Sequence, residues 1–134
     1  MDSNKCIFVQ YIYNMKRLEL SFCLLYLEDH YAILEMKKDC SITIDAAKEI
    51  TVELERFYEA RSFVFITHRK YGHPIDLNVY KGRILKNMIG FAIVSDNPEE
   101  RKRAENEQLL WKNAFTFFTD LEDAKSWAES FFYS

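Results

Sequence analysis

The chain predicts a single α/β domain built on a mixed β-sheet, and three observations in its 134 residues carry that prediction. Two alternating segments near the start, 18–27 and 31–36, are separated by Glu28-Asp29-His30 and read as a β-hairpin. Two later runs, SFVFIT at 62–67 and MIGFAIV at 88–94, are apolar at nearly every position, as central parallel strands buried on both faces are. Stripes at helical spacing alternate with these strands, so the expected order is β-β-α-β-α-β-α-β-α around a five-stranded sheet.

Taken in order, segment 18–27 places Leu18, Leu20, Phe22, Leu24 and Tyr26 on one face of a single strand, and YAILEM at 31–36 returns beside it. Thr43 precedes a helix whose Ala47, Ile50, Leu54, Phe57 and Tyr58 form the apolar stripe, with Thr43 as its N-cap. Asp76 caps a short helix carrying Leu77, Tyr80 and Ile84 at i, i+3 and i+7. After the second apolar run, Asn97 is the N-cap, Pro98 the first helical residue and Glu100 the capping-box partner of a helix reaching about Trp111. AFTFF at 114–118 is the last strand. Asp120 then caps a helix that buries Leu121, Ala124, Trp127, Ala128 and Phe131.

A chain of this size buries about two-thirds of its unfolded surface and sustains a core without staples. Aromatic residues make up 16% of it against only three glycines and two prolines, which excludes a disordered or low-complexity protein. Cys6, Cys23 and Cys40 have no paired spacing and read as reduced thiols, so a cytoplasmic location is expected. The apolar segment 6–13 is too short to span a bilayer and lacks a cleavage site, so neither a signal peptide nor a transmembrane segment is expected. Residues 1–14 read as an N-terminal extension to a domain over 15–134, with Met15 expected as the natural initiator.

Net charge is −3 but uneven: −4 over residues 1–60, +5 over 61–90 and −4 over 91–134. A basic middle within an acidic chain argues against nucleic-acid binding, where a basic stripe dominates the domain. It points to a local anion site. P-loop, dinucleotide and nucleophile-elbow signatures are absent, so no enzyme activity and no cofactor are expected. Cys23, beside Leu25 and Leu27, reads as a small core hydrophobe. Arg101-Lys102-Arg103 with Glu99, Glu100, Glu105 and Glu107 reads as a solvated helix face.

The hairpin start, the strand ending Ile66-Thr67-His68-Arg69-Lys70, the strand Phe91-Ala92-Ile93-Val94-Ser95, and the closing Phe118-Thr119-Asp120-Leu121-Glu122-Asp123-Ala124 with Trp127 resemble the small bacterial STAS, or SpoIIAA-like, domains. The resemblance runs from about Leu18 to the C-terminus and rests on the order of several weak motifs. It implies a mixed sheet with a β-α superhelical core and a non-enzymatic regulatory or protein-interaction role, with carriage of a small or lipid ligand as the alternative. Phosphoregulated members place Asp-Ser-Ser/Thr-Gly after the third strand. Here the residues are Thr67-His68-Arg69-Lys70-Tyr71-Gly72-His73-Pro74-Ile75-Asp76, and Thr67 is a weak substitute for the serine.

Thr67, His68, Arg69, Lys70, Tyr71 and His73 are therefore the candidate residues for a small anionic or amphipathic ligand or an unidentified protein partner. His68, Arg69, Lys70 and His73 follow the carboxyl end of a central strand, where open α/β sheets bind ligands. Three exposed ionic contacts supply at most about 3 kcal/mol. Millimolar binding already needs about 4 kcal/mol. A useful site must also exclude water, with Tyr71 and Tyr80 as candidate walls. His68, His73 and Asp76 lack the spacing of a metal site, and no metal is expected.

Overall fold

The computed structural model describes residues 6–12, 15–71, 75–82, 85–111 and 114–133, with side chains from residue 15 onward. Its strands are β1 (Cys6–Ile12), β2 (Met15–Leu20), β3 (Cys23–Leu27), β4 (Tyr31–Met36), β5 (Phe63–His68), β6 (Met88–Val94) and β7 (Ala114–Phe118). The helices are α1 (Ile44–Tyr58), α2 (Pro98–Gln108) and α3 (Leu121–Glu129), and a 3₁₀ turn covers Leu77–Lys81. All seven strands form one sheet in chain order. The first four pair antiparallel, and β4 through β7 run parallel.

Five strands were expected and seven form among the described residues. The segment 6–12, set apart in the sequence as an extension, pairs along β2 as an antiparallel strand. The segment 18–27 is not one strand, because the chain reverses at Ser21-Phe22 and Leu18 faces Leu25 across the hairpin. The reversal shifts the inward phase by one residue. Leu18 and Leu20 point to the core before it, Cys23, Leu25 and Leu27 after it, and Phe22, Leu24 and Tyr26 are only half-buried. Ser21-Phe22 contains no glycine of the kind that favoured two-residue hairpin loops use, so the alternation alone suggested continuity.

The central strands divide two cores. On one face Leu34, Phe63, Phe65, Phe91 and Ile93 pack with Ile50, Leu54 and Tyr58 of α1 and Ala104 of α2. On the other, Ile33, Val64, Ile66, Ala92 and Val94 pack with Ala124 and Ala128 of α3. Burial on both faces is why β5 and β6 read as unbroken apolar runs. Gly90 lets α3 come close: a Cβ there would lie 3.3 Å from both Trp127 and Phe131.

Thr43 accepts from the Ala46 amide and Asn97 from the Glu99 amide, as their positions in the sequence imply. Asp120 occupies the N-cap position of α3 without a side-chain cap bond. Between β5 and β6 the expected α-helix is only the 3₁₀ turn, with Asp76 bonded to the Asn78 amide; Ile84 lies outside the described residues. Trp111 falls beyond the end of α2, and Phe131 beyond α3 is exposed. Among the described residues no helix is long and apolar enough to cross a membrane.

Candidate functional site

The parallel register of β4, β5 and β6 sets Leu34 beside Thr67 and Thr67 beside Ile93. Alternation then directs Phe65, Thr67 and Arg69 to the face covered by α1. Arg69 lies one residue past β5, yet its amide still bonds the Val94 carbonyl and extends the ladder. Downstream, Ile75 bridges to Ile42 and the Asp76 amide bonds the Ile42 carbonyl, carrying the chain across the start of α1.

These elements line a half-open cavity of about 110 Å³ between α1, the sheet and the segment around Ile75, Val79 and Tyr80. Ile50, Leu54, Phe65 and Phe91 are among its apolar lining, and Thr67, Arg69, Tyr80 and Trp111 also line it. Thr67 Oγ1, Arg69 Nε and Trp111 Nε1 are buried and make no hydrogen bond among the described residues. A buried polar group without a partner costs about 1 to 3 kcal/mol.

Arg69 is not the exposed cation that the local charge excess suggested. It is 3% exposed, and its two terminal nitrogens each donate to Glu107 at 2.6 Å. Tyr80 donates to the same carboxylate at 2.5 Å, and Glu100 lies 3.9 Å from the guanidinium. Burial by itself would lower the Arg69 pKa, but the hydrogen bonds and charge of Glu107 outweigh it and hold the pKa above its ordinary value. Burial, reinforced by the neighbouring Glu107 charge, pushes the Tyr80 phenol up and keeps it neutral.

The solvated-face reading of α2 also changes. Glu100 and Glu107 point inward with Ala104 and are fully buried, so Glu100 pairs with Arg103 at 3.3 Å instead of closing a capping box. The sequence held a signal for this: Glu100, Ala104 and Glu107 share one helical face at i, i+4 and i+7, and an acidic inward face requires a cation opposite.

The other candidates do not gather at the cavity. His68 Nδ1 lies 3.3 Å from Glu35 and Lys70 Nζ 3.5 Å from the same carboxylate, forming a separate half-buried cluster. The His68 hydrogen bond, aided by Lys70 against the effect of burial, holds the Glu35 carboxyl below its ordinary range. Tyr71 is 45% exposed and does not line the cavity, whereas Tyr80 does. His73 lies outside the described residues. Among the described residues no three His, Cys, Asp or Glu side chains are placed to hold a metal ion.

A small anion would meet two carboxylates around a guanidinium already engaged by one of them. Glu107 and Glu100 balance the charges of Arg69 and Arg103, so no net positive charge is left for it. The arrangement therefore favours an uncharged guest. Compared with family models, curated proteins and solved structures, the chain finds no match.

Proposed function

We propose that the domain is a non-enzymatic regulatory module that binds a compact small molecule in the cavity beneath α1. The observation that carries this reading is the cavity itself, apolar over most of its wall. At about 110 Å³ it is somewhat smaller than an engineered cavity of about 150 Å³ that accepts benzene. That favours a molecule of ring size over the lipid carriage considered from the sequence.

The regulatory half of the proposal leans on the resemblance to STAS domains. Four parallel strands in chain order, β4 to β7, suit the superhelical core that the resemblance implies, and the cytoplasm is the proposed setting. A protein partner that senses occupancy completes the proposal.

Filling the cavity tests it. Ala47 lines the wall from α1, where Leu is a good helix former, so Ala47→Leu should fold and occupy the space. In methyl-detected NMR, methylenecyclopentane should shift Leu34, Ile50 and Met88 in the parent protein and leave them unmoved in Ala47→Leu. Equal responses in both proteins, or none in either, would refute cavity binding.

A further inference from the structure

We infer that α2 is the output element of the cavity: a guest is held while α2 is docked and is lost when α2 swings away, so occupancy sets how firmly α2 stays in place. The inference rests on the cavity-binding reading and adds to it the element whose position answers to the guest.

Two of the side chains that line the cavity are also the ones that hold α2. Arg69 donates to Glu107 through both terminal nitrogens at 2.6 Å, Tyr80 donates to it at 2.5 Å, and both residues belong to the cavity wall. Trp111, three residues past the end of α2, lines the same cavity, with its ring centre 5.3 Å from that of Phe91. Beyond these tethers the helix is lightly anchored. It buries Ala104 and two glutamates, whereas α1 buries Ala46, Ile50, Leu54 and Tyr58.

Undocking α2 therefore gives up little apolar burial, and what it breaks is concentrated at the cavity. Glu107 leaves Arg69 and Tyr80, and the short connection draws Trp111 from the wall. An apolar guest would then lie beside a guanidinium stripped of its carboxylate, which water must enter to solvate. Water and guest compete for one small space. The guest thus has a different affinity for the docked and undocked states, which is what coupling requires.

Native-state hydrogen exchange of the full chain tests this, with methylenecyclopentane as the probe. A guest that must leave before α2 opens slows that opening by one plus the ratio of its concentration to its Kd. At about ten times Kd, α2 amides should therefore slow about elevenfold. α3 packs on the other face of the sheet, so those of its amides that exchange faster than global unfolding allows should slow less than about twofold. In Ala47→Leu, whose filled cavity takes no guest, the probe should slow neither helix. Tyr80→Phe keeps the ring in the wall and removes one tether, so without probe its α2 amides should exchange about tenfold faster than in the parent.

Unchanged α2 exchange while the probe shifts Leu34 and Ile50 overturns the coupling and leaves cavity binding standing. Equal slowing of α2 and α3, slowing of α2 in Ala47→Leu, or an α2 rate unaltered by Tyr80→Phe each overturns the coupling as well. A probe that shifts neither Leu34 nor Ile50 in the parent overturns the coupling and the cavity reading together.

Discussion

Glu107 accepts from both terminal nitrogens of Arg69 and from the Tyr80 hydroxyl, so removing the cation strands a carboxylate inside the protein. Arg69→Met should cost about 3 to 5 kcal/mol in urea unfolding, the usual penalty for breaking a buried pair. Adding Glu107→Leu should recover part of that loss, and a loss below about 1 kcal/mol for the single variant would mean that the pair is not structural. Glu35 behaves differently because it is only partly covered. Its carboxyl is held below the ordinary value of 4.5, so the folded state favours its ionised form. That contribution is complete above the ordinary carboxylate range and disappears as pH falls through the lowered folded value. Replacing His68 with Phe should therefore reduce the slope of stability against pH below about 4.5. The buried pair was hard to read in the sequence because it joins residues 38 apart, and local charge counting treats each as solvated.

Capping depends on local chemistry, and at the level of elements it separates α1 from α3. Thr43→Ala removes a bond to the Ala46 amide and should cost about 1 kcal/mol. Asp120→Ala removes no such bond and should cost only a few tenths, from the helix dipole. Thermal melts of the two variants check the contrast, and equal losses would contradict it. Thr43 and Asn97 could be assigned from sequence because cap, amide and apolar stripe lie within one turn. The reversal at Ser21-Phe22 could not, since the pairing of Leu18 with Leu25 depends on the sheet and not on the turn residues. The same holds after Asp76, where the cap was legible but the segment continues only as a 3₁₀ turn.

Across the whole molecule, protection should follow the covering of the sheet. β5 has an apolar layer on each side, whereas the inward face of α2 offers Ala104 between two glutamates. Native-state hydrogen exchange should find β5 among the slowest segments and α2 opening before α1; equal protection of α2 and β5 would contradict this. The two-sided burial of the central strands was legible because it leaves an uninterrupted apolar run. The cavity was not, since it is a gap among side chains from several elements, and only the position of Thr67 and Arg69 at the carboxyl end of a central strand hinted at it. One architectural fact bears on how the molecule is made. Because each strand lies beside its neighbour in the chain, a growing polypeptide adds to an existing edge without waiting for a distant segment or inserting between strands already paired. Such an arrangement lowers contact order and favours fast refolding for a sheet of this size. A circular permutant that opens the chain between β4 and α1 would separate β4 from β5 in sequence while preserving their contact, and it should refold more slowly as assembly loses its uninterrupted succession.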